Sequence, residues 1–157
     1  KGEVVSSDIQ KSIIKVTRRM SYKEVQTILD VINNEEDKKI FNLKDKEKLL
    51  EECKPYFEHF KRMEELANIL KQKREKAGSL NLDIPESKIT LNEQGVAIKV
   101  EKYDMYFANE IIEQFMLTAN ETVAEKFYWL EAPFIYRVHE VPDEEKIDEL
   151  NKLKGRN

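Results

Sequence analysis

The stretch Asn109–Glu140, NEIIEQFMLTANETVAEKFYWLEAPFIYRVHE, constrains the fold more than any other part of the chain. At about 100° per residue, Ala108, Ile111, Ile112, Phe115, Met116, Ala119, Val123, Phe127 and Leu130 fall on one broad arc. The spacing predicts a long amphipathic helix over about 104–130, and Pro133 then opens a short strand over about 134–138. Asn109, Glu113 and Asn120 lie together at the edge of the arc. Amides and a carboxylate at an apolar border are either satisfied in a helix–helix hydrogen-bond network or face a site, and periodicity leaves both readings open.

At 157 residues the chain suits a single unit with a real core. Its 37% charged residues and formal charge of −4 describe a mixed-sign surface without the basic excess usual in phosphate-binding domains, so any nucleic-acid contact must come from local geometry. Cys53 is the single cysteine, which excludes an intrachain disulfide and favours a reducing compartment. Its place on an apolar helical face predicts a buried, inert thiol. No run of about 18 apolar residues occurs and Lys1-Gly2-Glu3 does not open a signal peptide, so a cytoplasmic protein is expected. The absence of an initiating Met suggests an excised piece or a trimmed tag.

Along the chain, the β-branched residues of 3–16 suggest a strand whose partner is not evident. Ser21-Tyr22-Lys23-Glu24 is a capping box opening a helix over about 22–33, with Met20 and Val25 at the staple positions. A second helical region, about 43–77, carries Leu49, Cys53, Tyr56, Phe60, Met63, Ala67 and Leu70 in phase. Pro55 should kink it or split it into two helices. Lys71, Lys73, Arg74 and Lys76 complement its C-terminus and Gly78 supplies a left-handed cap. Lys73 and Arg74 are therefore candidates for a phosphate backbone, although dipole compensation explains the cluster as well. Strands are predicted over about 79–84, 88–91 and 96–100, the last two joined by an Asn92–Gly95 hairpin turn, and a final helix over about 143–154 with Ile147, Leu150 and Leu153 on its buried side. The fold class is α+β, helix-dominated, with a long central helix and a small, mainly antiparallel sheet.

Metal chemistry finds no footing in the spacing. The aspartates are scattered singly, His59 and His139 have no ligand-spaced partner, and there is no Gly-rich phosphate loop, nucleophile setting or zinc spacing. No catalytic centre is legible.

Several runs nevertheless stand in a telling order: Arg18-Arg19-Met20-Ser21-Tyr22-Lys23-Glu24-Val25; Met63-Glu64-Glu65-Leu66; Lys73-Arg74-Glu75-Lys76; Pro85-Glu86-Ser87-Lys88; Ile112-Glu113 with Met116, Ala119, Asn120 and Ala124; and Tyr136-Arg137-Val138-His139-Glu140 with Pro142, Asp143, Glu145 and Lys146. Together they resemble the ribonuclease II (RNB) family, its exoribonuclease R branch in particular, over about Arg18 to Lys154. Gln114 departs from the pattern, since members often carry a second Glu there. The resemblance implies a central piece of a catalytic domain that hydrolyses single-stranded RNA processively, 3′ to 5′, to nucleoside monophosphates with Mg²⁺. It also implies that the family's catalytic aspartates precede this stretch, so that the piece alone is inactive, binds no metal and contributes wall to the RNA channel. Tyr22 and Glu113 are then the expected RNA-binding residues, with Asn120 in support. Glu113 would accept from the ribose 2′-hydroxyl that distinguishes RNA from DNA. Self-association through exposed edges is expected of such a piece. The rival reading is a non-catalytic helical scaffold or protein-interaction domain, which an exposed apolar stripe without a polar cluster would favour.

Overall fold

Ser21 begins the ordered architecture in a computed structural model that describes residues 2–33, 46–79 and 86–154. Its hydroxyl accepts from the Glu24 amide at 3.3 Å, while the Glu24 carboxylate accepts from the Ser21 amide at 2.6 Å, the reciprocal pair of a capping box. That pair starts α1 (Tyr22–Ile32). The Ser21 amide is also the main cause holding the Glu24 carboxyl below its ordinary pKa, with Arg18 assisting. Arg18 pairs with Glu24 and with Glu52, joining the start of α1 to α2 (Lys46–Cys53).

Pro55 splits the second helical region as expected. A 3-10 turn (Lys54–Tyr56) separates α2 from α3 (Phe57–Lys76), yet the apolar phase survives the break. Ile28, Leu49 and Cys53 form one buried cluster with Met20, Phe57 and Phe60 against it; Leu29, Ala67 and Ile111 form another with Val25, Met63 and Phe115. Each fully buried aliphatic side chain contributes about 1.5–3 kcal/mol. Cys53 is a buried free thiol within the first cluster.

α3 ends in a Schellman motif. The Ser79 amide donates to the Arg74 carbonyl and the Gly78 amide to that of Glu75, with Gly78 at φ +96°. The hairpin pairs β1 (Ser87–Leu91) antiparallel with β2 (Ala97–Lys102), matching Ile89 with Val100 and slipping register between Thr90 and Leu91. Asn92 organises the turn: its side-chain oxygen accepts from the Gln94 and Val96 amides at 3.0 and 2.8 Å, and Gly95 adopts φ +77°.

The chain falls into two compact units, Lys1–Thr122 and Val123–Asn157. α4 (Phe107–Trp129) supplies the first with its residues 107–122. In the second, α4 ends with the same Schellman pattern as α3, the Ala132 amide donating to the Phe127 carbonyl and that of Glu131 to Tyr128. Here the left-handed position, φ +51°, is held by Glu131 instead of a glycine. The reversal lays Phe134 on Phe127, ring centroids 4.7 Å apart, with Tyr136 edge-on to Phe134. Asp143 caps α5 (Glu144–Lys154), its carboxylate accepting from the Glu145 amide.

Three expectations are corrected. Residues 3–16 carry no β ladder: Val4-Val5 and Ile13-Ile14 are adjacent pairs that give no consistent apolar face, and no strand among the described residues pairs with them. Residues 134–138 likewise lie outside any ladder: Phe134 packs on Phe127, Tyr136 packs on Phe134, and no strand among the described residues takes up their backbone groups. Ile147 and Leu150 of α5, expected on a buried side, are exposed and join no buried cluster among the described residues. The strand expected over 79–84 falls almost wholly outside the described residues.

Candidate nucleic-acid interface

α4 carries two opposite faces within the first unit. Ala108, Ile111 and Gln114 are buried, with Phe115 partly buried beside them. Ile112, Met116 and Ala119, expected on the same arc, are exposed; Met116 keeps 58% of its surface. The buried stripe is thus turned by roughly 80° from the centre of the arc drawn from apolar spacing. What remains open is a face bearing Ile112, Glu113, Met116 and Asn120.

The reason for that rotation is polar. Lys71 of α3 makes an ion pair with Glu110. One turn further along α3, Arg74 donates from Nε to the Gln114 side-chain oxygen at 3.1 Å and pairs through Nη1 with Glu121 at 2.9 Å. Gln114 is only 7% exposed, so its amide would be costly to leave unpaired. The hydrogen bond to Glu110 is the main cause raising the Lys71 pKa, and the negative charge of Glu113 contributes in the same direction. α1 joins at the N-terminus of α4, where the Gln26 side-chain oxygen accepts from the Ala108 amide at 3.1 Å.

The expected site residues therefore divide. Glu113 is exposed on the open face and within the field of Lys71. Asn120 is exposed on that face. Asn109 is satisfied locally, its side chain accepting from the Tyr106 amide at 3.1 Å to cap α4. Tyr22 sits in the first turn of α1, 40% exposed, one turn ahead of Gln26. Lys73 donates to the Gly2 carbonyl at 3.1 Å, where Gly2, at φ +69°, lies against Ile69. Arg74 has its guanidinium engaged with Gln114 and Glu121 of α4. Gln114 is the residue that apolar spacing passes over. It stands three residues beyond Ile111, on the stripe the structure buries, and a polar residue there asks for a partner.

Among the described residues no group of three or more His, Cys, Asp or Glu is placed to hold a metal ion. No helix among them is long and apolar enough to cross a membrane.

A family model, the RNB domain, matches residues 1–156. The chain belongs to the RNB domain family. It is 36% identical to Ribonuclease R of Aquifex aeolicus, the match covering 97% of this chain and 20% of that protein. Ribonuclease R 1 of Lactococcus lactis is 37% identical over 97% of this chain and 16% of its own length. The solved structure of Mycoplasma genitalium RNase R in complex with ribose methylated single-stranded RNA is similar over 87% of this chain and 19% of that one, with a TM-score of 0.60 and 27% identity. The chain thus spans about a fifth of the length of the first of these relatives.

Proposed function

We propose that this RNB chain works as part of a longer, cytoplasmic 3′-to-5′ exoribonuclease that hydrolyses single-stranded RNA to nucleoside 5′-monophosphates. The observation that carries this is the RNB match along essentially the whole chain, together with relatives named ribonuclease R, one of them bound to single-stranded RNA. Within that enzyme the open face of α4 forms channel wall. Glu113 accepts from a ribose 2′-hydroxyl, Asn120 supports it on the same face, Tyr22 meets the strand from α1, and Lys73 offers a cation at the basic end of α3, beside Arg74, whose guanidinium is engaged with α4. Glu113, Asn120, Ile112 and Met116 share one surface, and a polar pair beside the apolar residues favours RNA over the scaffold reading. In isolation, exposed edges of the piece draw copies of the chain together.

The metal of such an enzyme is a divalent cation, Mg²⁺ in this proposal. The described residues do not fit it, lacking a clustered donor set, so no step of hydrolysis is assigned to them. The test is the full-length protein incubated with 5′-labelled single-stranded RNA and Mg²⁺. A ladder shortening from the 3′ end, with mononucleotide product, is expected. Internal cuts, or an intact substrate, would refute the assignment.

A further inference from the structure

The basic end of α3 offers Arg74 for either phosphate contact or compensation of the helix dipole, and the geometry points to a different role. We propose that Arg74 is a positioning residue: clamped between the buried Gln114 and Glu121, it sets the rotation of α4 and so the direction in which Glu113 faces RNA. This rests on the RNA reading given above.

Two bonds leave one guanidinium for α4 positions 114 and 121, which lie two turns apart on the same side of the helix. A planar, rigid fork held at both points opposes sliding as well as rotation. Lys71 ties Glu110 on the same side of α4, one turn before Gln114, so two α3 cations fix three α4 positions along one line. A phosphate ligand needs its donor fork free. That of Arg74 is committed on two of its nitrogens, and its side chain is only 26% exposed. Glu113 follows rigidly, because a helix that turns at Gln114 turns its neighbour by the same angle. Gln114 is the distinctive part of the clamp. A carboxylate in place of this neutral amide would still accept from Arg74.

The experiment measures affinity of the full-length enzyme for single-stranded RNA and DNA of one sequence across a salt series, with Glu113→Ala as the reference. Arg74→Met and Gln114→Met are each expected to narrow the RNA-to-DNA affinity ratio severalfold, in the direction of Glu113→Ala, with an unchanged slope of log affinity against log salt. Gln114→Glu keeps an acceptor for Arg74 and should keep the ratio. Equal weakening toward RNA and DNA in Arg74→Met, with the salt slope falling by about 0.7, would make Arg74 a phosphate ligand and overturn the proposal. So would an unchanged ratio in Arg74→Met, or a ratio lost in Gln114→Glu. Should Arg74→Met fail to fold, Arg74→Lys decides: lysine keeps the charge but cannot bridge Gln114 and Glu121 together, so a clamp predicts a narrowed ratio and a phosphate contact predicts none. If Glu113→Ala itself leaves the ratio untouched, the RNA role of Glu113 fails separately. The clamp is then judged by amide exchange of residues 110–114, which must quicken in Arg74→Met and would refute it by staying constant.

Discussion

The two faces of α4 are built from similar residue types and have opposite environments. The face toward α3 buries Ile111 and Gln114 and is stitched by Lys71–Glu110 and Arg74–Glu121; the other leaves Ile112, Glu113, Met116 and Asn120 open. Hydrophobicity does not separate them, since Ile111 and Ile112 are the same residue. What separates them is which side carries polar groups that α3 can satisfy. Apolar spacing locates a helix, and paired polar groups set its rotation.

The largest expected effect breaks that contrast directly. Ile111→Ala deletes a fully buried side chain and should cost about 2–5 kcal/mol, whereas Met116→Ala on the open face should cost less than about 1 kcal/mol. Urea unfolding of the two variants reads the difference, and comparable losses would mean that the open face is packed.

How much of this was legible in sequence follows the same division between local and long-range causes. The Ser21 capping box, the split at Pro55, the Gly78 cap and the Asn92–Gly95 turn are decided by neighbours within a few residues, and each forms as its sequence requires. The strands expected over 3–16 and 134–138 depend on a partner that no local pattern supplies, and neither forms a ladder. The rotation of α4 belongs with them. Its apolar arc was too broad to choose a side, and the choice lay with Arg74, forty positions away from Gln114. The position of Glu113 at the border of the arc was readable; that this border opens outward was not.

A smaller effect sharpens the comparison through pH. Lys71 has its pKa raised above the ordinary lysine value of about 10.4, chiefly by its hydrogen bond to Glu110. Stability from this pair is fully present below the unfolded-state value and is lost as pH rises through the folded one. The pair is partly exposed, so the loss should not exceed about 1 kcal/mol. Thermal melts of the wild type and Lys71→Met, followed upward from about pH 9, should converge at alkaline pH. A constant gap would remove the ion pair from the account of the seam.

The central claim is that α3 holds one face of α4 so that the other can read RNA, and Glu113→Ala in the full-length enzyme tests it most directly. A hydrogen bond from a 2′-hydroxyl to a charged acceptor contributes about 1.5–3 kcal/mol, so RNA affinity should fall about 10- to 150-fold while DNA affinity changes little and the melting temperature stays nearly constant. An unchanged RNA-to-DNA ratio, with the melting temperature lowered by several degrees, would contradict the claim and make Glu113 part of the packing.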